Sequence, residues 1–256
     1  MTPVSSTFRI LLRGLRLASV TAVGSCVVLA LHLLRRWAPV RAQRLRNRVF
    51  RFWARDFCRA VGMRVRVQGR GPVGRFFLVC NHVSYTDIPL LASQVDTAFV
   101  GKADLRRWPL LGLAFRATDT IFIDRGRKRD LLRVLELVRR CLERGLGVTV
   151  FPEATSTKGE TILRFKPSLL QLAAKNKQPV HYATLSYRTP PGWPPAHQLV
   201  CWWDGTPFLR HLLRLLAAPG FEARLEFGPE PISDSDRKVL ADRLQAAMER
   251  SFQPIL

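Results

Sequence analysis

The segment Asn81-His-Val-Ser-Tyr-Thr-Asp87 directly follows a short apolar run, Phe76-Phe-Leu-Val-Cys80. An apolar run of this length is typical of a buried strand. Pro89 stands just after Asp87 and suits the first turn of a helix, where a proline leaves no hydrogen bond unmade. The stretch therefore predicts a strand, a polar turn carrying His82 and Asp87, and the start of a helix.

Apolar runs alternate with helical periods along the rest of the chain. Further strands are predicted at residues 97–100, 120–123, 148–151, 180–185, 199–203 and 223–227, and helices at 128–144, 208–217 and 236–252. This alternation predicts an α/β fold with a mixed, largely parallel sheet flanked by helices, here over residues 63–256. Since ligands of such folds bind beyond the carboxyl ends of strands, the 81–87 turn is a candidate site.

Residues 17–34 form an uncharged, apolar stretch near the N-terminus. Its length lies close to the lower limit for a transmembrane helix, which takes about 17–25 residues. A signal peptide is disfavoured because no small-x-small cleavage site follows, and a buried core helix remains an alternative. The sequence predicts that residues 1–62 form a helical membrane-anchoring segment, which either spans the bilayer or only inserts into it.

Arginines flank this apolar stretch unevenly. Arg9, Arg13 and Arg16 precede it, whereas the flank that follows carries Arg35, Arg36, Arg41, Arg44, Arg46, Arg48, Arg51 and Arg55. Because the more basic flank faces the cytoplasm, we expect the body on the cytoplasmic face of the cell inner membrane. Residues 41–61 also carry Val49, Phe50, Phe52, Trp53 and Phe57, which indicates either a helix in the lipid headgroups or a solvated basic helix packed on the body.

The composition is that of a folded and strongly basic protein. Hydrophobic residues make up 47% of the 256 residues, and 41 Lys and Arg against 19 Asp and Glu give a net charge of +22. This charge indicates an anionic partner, which is a nucleic acid, an acidic membrane surface or an acidic ligand. The five cysteines are scattered and form no C-x-x-C pair, so we expect no disulfide framework, no zinc site and a reducing compartment.

His82 and Asp87 are the candidate catalytic residues. A carboxylate on one ring nitrogen of a histidine fixes the tautomer and leaves the other nitrogen free to take a proton. No serine or cysteine nucleophile is needed where the substrate supplies its own hydroxyl. The spacing alone also allows a structural pair, with Asp87 acting as a helix cap.

Three later stretches follow Asn81, His82 and Asp87 in the sequence. They are Phe122-Ile-Asp-Arg125, then Phe151-Pro-Glu-Ala-Thr155, then Pro179-Val180. In this order the four blocks resemble those of the glycerolipid acyltransferase family, whose members acylate glycerol phosphate and lysophospholipids. The blocks together are specific, and they cover residues 76–187.

The resemblance implies a role for each matched residue. His82 would be the general base on the acceptor hydroxyl and Asp87 its orienting partner, with acyl-ACP or acyl-CoA as the thioester donor. The implied substrate-binding residues are Lys102, Arg125, Glu153, Ala154 and Thr155. Arg125 would bind an acceptor phosphate, or it is a solvated arginine, and Glu153 would shape the acceptor site or pair with Arg125 or Lys158. The resemblance implies no metal and no cofactor.

Block three departs from the family members that make phosphatidic acid. Ala154 replaces a glycine, and Ser156 stands where those members carry a phosphate-binding arginine. Ser156, with residues 201–208 and His211, resembles the lyso-ornithine lipid acyltransferase subgroup. We therefore expect a lysophospholipid or lyso-ornithine-type acceptor, with 1-acylglycerol-3-phosphate as the alternative.

A function without catalysis, as a basic membrane-surface or nucleic-acid-binding protein, is the alternative from another class. No nucleic-acid motif is present, and the arginines cluster beside the apolar stretch, so membrane lipids are the expected partner.

Overall fold

The computed structural model describes residues 3–34, 37–103, 119–124 and 129–255. Two helices come first, α1 (Pro3–Leu34) and α2 (Pro39–Ala60). The described strands are β1 (Met63–Gln68), β2 (Phe77–Cys80), β3 (Thr97–Lys102), β4 (Ile121–Ile123), β5 (Gly147–Val150), β6 (Val180–Arg188) and β7 (Phe221–Phe227). The later helices are α3 (Asp87–Gln94), α4 (Asp130–Glu143), α5 (Gln171–Lys175), α6 (Ala196–Leu199), α7 (Phe208–Ala217) and α8 (Arg237–Glu249).

In the described part of the chain, the strands form one seven-stranded sheet with the order β1-β7-β6-β2-β5-β3-β4. All neighbouring strands in it run parallel except β6 and β7, which are antiparallel. The predicted α/β fold with a mixed, largely parallel sheet is confirmed. Strand β2 lies at the centre with β5 and β6 parallel on either side, so the carboxyl ends of these three strands meet at one edge of the sheet.

Both faces of the central strand are covered. Leu78 and Cys80 of β2 point into one apolar cluster, and Phe77 and Val79 point into the other. The first cluster contains residues of α2, α3 and α7, and the second contains residues of α4, α5 and α8. A parallel strand covered on both sides is apolar throughout rather than alternating, which explains the continuous run before Asn81.

Helix α2 is packed on the body. Trp53 and Phe57 are 5% and 2% exposed and belong to the core, whereas Phe52 on the other side of the helix is 60% exposed. The interpretation of α2 as a basic helix packed on the body is therefore right for Trp53 and Phe57, and insertion of these two rings into lipid is excluded. Residues on both sides of position 62, where the sequence predicts the boundary between anchor and body, belong to the same apolar cluster.

The strand predicted at residues 199–203 is wrong. Residues Ala196–Leu199 form the short helix α6, and the next residues run without strand pairing. The amide of Trp202 donates to the carbonyl of Val83 in the 81–87 turn, and its indole N–H donates to the carbonyl of Thr206. Residues 199–201 are buried in the core. In the sequence, a short apolar run that is buried without forming a strand looks the same as a buried strand.

Candidate active site

Asn81 fixes the turn that follows β2. Its side-chain amide donates to the carbonyl of Leu185 at 3.0 Å, and its side-chain oxygen accepts from the amide of Leu185 at 2.8 Å. Both bonds reach β6, so the side chain continues the pairing between β2 and β6 for one more residue. The turn therefore begins from a fixed point at the carboxyl edge of the sheet.

The structure brings His82 and Asp87 together. Nδ1 of His82 lies 2.7 Å from Oδ2 of Asp87, and the same oxygen accepts from the amides of Val83 at 2.8 Å and Ser84 at 2.9 Å. A carboxylate that accepts these bonds requires the hydrogen of the neutral imidazole to sit on Nδ1, which leaves the lone pair of Nε2 available. The side chain of Asp87 is fully buried, whereas that of His82 is 20% exposed.

The second oxygen of Asp87 binds a tyrosine on β6. The hydroxyl of Tyr187 donates to Oδ1 of Asp87 at 2.7 Å, and the hydroxyl of Thr86 donates to that of Tyr187 at 3.1 Å. Burial raises the pKa of Tyr187 well above its ordinary value, so this phenol is a proton donor at neutral pH. Tyr187 belongs to no sequence block, and only the pairing of β6 with β2 brings it to the site.

Glu153, in block three, holds the backbone of His82. Its Oε1 accepts from the amide of His82 at 2.7 Å, and its Oε2 accepts from the amide of Leu163 at 2.8 Å. The residue is 3% exposed, and burial raises its pKa to about 7 although the two amide bonds oppose that shift. Block three also donates the amide of Thr157 to the carbonyl of His82 at 3.0 Å. Lys158 pairs with Glu160 instead of Glu153.

An aromatic ring fixes the plane of the imidazole. The ring of Phe151, which follows β5, stacks on that of His82 with centroids 4.2 Å apart and planes 21° apart. Phe99 of β3 stacks in turn on Phe151 at 6.3 Å. The histidine is therefore held at its backbone, at Nδ1 and on one ring face.

The rest of block three departs from the glycine-containing pattern. Ala154 has φ of +61°, a left-handed conformation that glycine adopts without strain. Thr155 is exposed, and its hydroxyl donates to the carbonyl of Ser156 at 3.4 Å. The hydroxyl of Ser156 donates to the carbonyl of Trp202 at 2.6 Å. Ser156 therefore links block three to the segment that follows α6.

That segment and α7 pack around Tyr85, in the middle of the 81–87 turn. The ring of Tyr85 makes edge contacts with Trp202, Phe208 and His211 at centroid distances of 5.6, 5.0 and 5.4 Å. Nε2 of His211 donates to the carbonyl of Cys201 at 3.2 Å, so Nδ1 accepts from the Tyr85 hydroxyl at 3.0 Å. Burial lowers the pKa of His211, which keeps the ring neutral.

The side chains of two predicted substrate-binding residues are not among those that the structure describes. Arg125 falls outside the described residues, and Lys102 is described only by its backbone at the end of β3. Within the described ranges, no group of three or more His, Cys, Asp or Glu is arranged to hold a metal ion.

Comparisons with known proteins agree with these motifs. Residues 64–186 match a family model described as "Acyltransferase". The "Lyso-ornithine lipid O-acyltransferase" of Pseudomonas aeruginosa is 34% identical over 94% of this chain and 92% of that protein. The "1-acyl-sn-glycerol-3-phosphate acyltransferase" of Neisseria gonorrhoeae is 35% identical over 38% of each chain.

A solved structure shows the same fold. The crystal structure of the 1-acyl-sn-glycerophosphate (LPA) acyltransferase from Thermotoga maritima superposes with a TM-score of 0.71 at 24% identity, covering 96% of each chain. The four blocks, this fold and the full-length relative lead to one assignment: the chain belongs to the glycerolipid acyltransferase family and is an acyltransferase.

Proposed function

We propose that this chain transfers a fatty acyl group from an acyl thioester to the hydroxyl of a lyso-lipid, with His82 as the general base and Asp87 as its orienting partner. The observation that carries this proposal is the state of His82. Its Nδ1 is bound to a buried carboxylate, while its Nε2 has no hydrogen-bond partner among the described residues and the ring reaches the surface. A base that is oriented on one side and free on the other is suited to take a proton from a hydroxyl.

The reaction needs only groups that the substrates, His82 and Asp87 supply. Nε2 accepts the hydroxyl proton of the acceptor as its oxygen attacks the thioester carbonyl, and Asp87 stabilises the imidazolium that forms. Collapse of the tetrahedral intermediate breaks the carbon–sulfur bond, and the imidazolium returns the proton to the leaving thiolate. The products are an ester and a free thiol, which is coenzyme A or holo acyl carrier protein, and the histidine is neutral again.

A lyso-ornithine-type lipid is the acceptor we propose. Ser156 stands where an arginine fork would bind a phosphate, and its hydroxyl is already used by the carbonyl of Trp202. The full-length relative in Pseudomonas aeruginosa carries the name of that activity. An acceptor without a phosphate monoester needs no such arginine.

Acyl transfer by the purified protein to a panel of acceptors tests both the role of His82 and the choice of acceptor. We expect turnover of lyso-ornithine lipid in preference to lysophosphatidate, from acyl-CoA or acyl-ACP. His82→Ala should lower turnover by about 10²–10⁴-fold, the contribution of a positioned general base, and His197→Ala is the matched control because it removes an imidazole outside the site. Activity surviving in His82→Ala would remove His82 as the base. Preference for lysophosphatidate would overturn the acceptor assignment alone.

We further propose that the protein sits on the cytoplasmic face with α1 inserted into one leaflet rather than crossing the bilayer. Within the described residues, one helical stretch, Ser6–Leu31, is long and apolar enough to span a membrane. However, α1 packs along α2, where Arg16 pairs with Asp56, and Arg13 donates to the carbonyls of Leu216 and Ala218 at the C-terminal end of α7. If residues 17–34 crossed the bilayer, α2 packed along them would carry its arginines, among them Arg48 beside Val23 and Val27, into hydrocarbon at about 2.5–3.5 kcal/mol each.

Thiol labelling of intact spheroplasts tests this arrangement. A Ser6→Cys variant in a Cys26→Ser background should react with a membrane-impermeant maleimide only after lysis, because both ends of α1 stay on the cytoplasmic side. A cysteine introduced at the exposed Val73 of the body is the matched control for the cytoplasmic side. Labelling of residue 6 in intact spheroplasts, with residue 73 protected, would show that α1 crosses the membrane.

A further inference from the structure

The carboxylate of Asp87 is held by hydrogen bonds alone. Its Oδ2 accepts from Nδ1 of His82 and from the amides of Val83 and Ser84, and its Oδ1 accepts from the hydroxyl of Tyr187. No Lys or Arg among the described residues lies within salt-bridge distance of this fully buried group. Each donor therefore contributes to keeping the charge in the core, since a buried charge without partners is costly.

The four donors are divided unevenly between the two oxygens. Three of them, counted over the described residues, converge on Oδ2, and the hydroxyl of Tyr187 holds Oδ1. Rotation of the carboxylate about its Cβ–Cγ bond would move Oδ2 away from His82. The bond from Tyr187 opposes that rotation, because it fixes the position of the oxygen on the opposite side.

Tyr187 is itself rigidly placed. It is 4% exposed, its ring makes an edge contact with Phe221 at 5.7 Å, and its hydroxyl accepts from the buried Thr86. Because Thr86 supplies the hydrogen bond that the phenol oxygen accepts, the phenol proton is directed at Asp87. The order of donation is thus Thr86 to Tyr187 to Asp87, whose other oxygen accepts from Nδ1 of His82.

We propose that Tyr187 is a positioning residue for acyl transfer, which holds the Asp87 carboxylate in the orientation that His82 needs when it becomes an imidazolium. This inference rests on the proposed function. Tyr187 is buried behind Asp87, so it acts through that carboxylate and touches neither substrate. The bond from its hydroxyl matters most when charge develops on His82, so it affects turnover and not substrate binding.

The test compares two tyrosines on the same strand. Tyr187→Phe removes the hydroxyl and keeps the ring, and Tyr182→Phe makes the same change at a β6 tyrosine whose hydroxyl bonds to no described residue. We expect kcat of Tyr187→Phe to fall by about 10- to 100-fold, the range for a hydrogen bond to a charged group, with KM for donor and acceptor within about twofold. Tyr182→Phe should stay within about twofold of the parent in both constants.

Variants of Thr86 provide the second measurement, should Tyr187→Phe fold poorly. Thr86→Val removes the donor to Tyr187 and should lower kcat with KM unchanged, whereas Thr86→Ser restores a hydroxyl and should recover most of the turnover. An unchanged kcat in Tyr187→Phe, or a loss confined to KM, overturns the inference while a strong loss in His82→Ala leaves the proposed function standing. Activity that survives in His82→Ala overturns both.

Discussion

Replacing Asp87 by asparagine isolates the charge of the buried carboxylate. The amide oxygen of the new side chain can take the place of Oδ2 and accept from Nδ1 of His82 and from the two backbone amides. Its amide group then faces the hydroxyl of Tyr187, which can turn to accept a hydrogen bond. The geometry of the site is preserved, and the negative charge beside His82 is lost.

The magnitude of the loss follows from the separation of the charges. In the transition state the imidazolium of His82 and the carboxylate of Asp87 are roughly 4 Å apart between charge centres, which at an effective dielectric constant of about 20 gives about 4 kcal/mol. That energy corresponds to about 10³-fold in rate. We therefore expect Asp87→Asn to lower kcat by about 10²–10⁴-fold and to change KM little.

The assay is thiol release from acyl-CoA in detergent micelles containing the acceptor, with thermal unfolding measured on the same preparations. Asp96→Asn is the matched control, since it removes a half-exposed carboxylate that pairs with Arg51 away from the site. A folded Asp87→Asn protein with kcat within tenfold of the parent would refute the orienting role of Asp87.

Three further changes test block three. Glu153→Gln removes an acceptor from the amide of His82 or Leu163 and should destabilise the fold by about 1–3 kcal/mol. Burial raises the pKa of Glu153 from 4.5 to about 7, so the stability that this residue contributes is full below pH 4.5 and is lost as the pH rises through 7. Thermal unfolding between these pH values should show a fall in stability in the parent that is absent in Glu153→Gln. Ala154→Gly relieves a left-handed alanine and should raise Tm by about 2–4 °C or leave it unchanged, whereas a clear decrease would contradict the strain. Ser156→Ala deletes the bond to the carbonyl of Trp202 and should raise KM for the acceptor more than KM for the donor.

The pair at residues 82 and 87 was predictable because it is local. A buried strand followed by a turn and a helix brings these two positions together with no contribution from distant residues, and the structure confirms the strand, the turn and the helix. Tyr187 was not predictable, because only the parallel pairing of β2 with β6 brings it to Asp87. The role of Trp202 was missed for a related reason, since an apolar run packed over a turn reads like a strand in the sequence.

We propose that the arrangement around His82 separates the residues that act in the chemistry from those that recognise the acceptor. Glu153 accepts from the backbone amide of His82, and Thr157 donates to its carbonyl. Asp87 binds Nδ1, and Phe151 stacks on one face of the ring. These contacts come from the 81–87 turn and from residues after β5. His82, the base we propose, is therefore held by residues that need no bound acceptor.

The two positions that differ from the family members that make phosphatidic acid are Ala154 and Ser156. The described contacts that hold His82 come from Glu153, Thr157, Asp87 and Phe151, whereas the hydroxyl of Ser156 bonds to the segment carrying Trp202. We therefore expect substitutions at these two positions to change which headgroup is accepted more than the position of His82. If this separation holds, Ser156→Ala should alter the acceptor KM while the kcat loss caused by Asp87→Asn stays the same in the double variant. A changed loss would show that the contacts from Ser156 through Trp202 and Val83 couple the two positions.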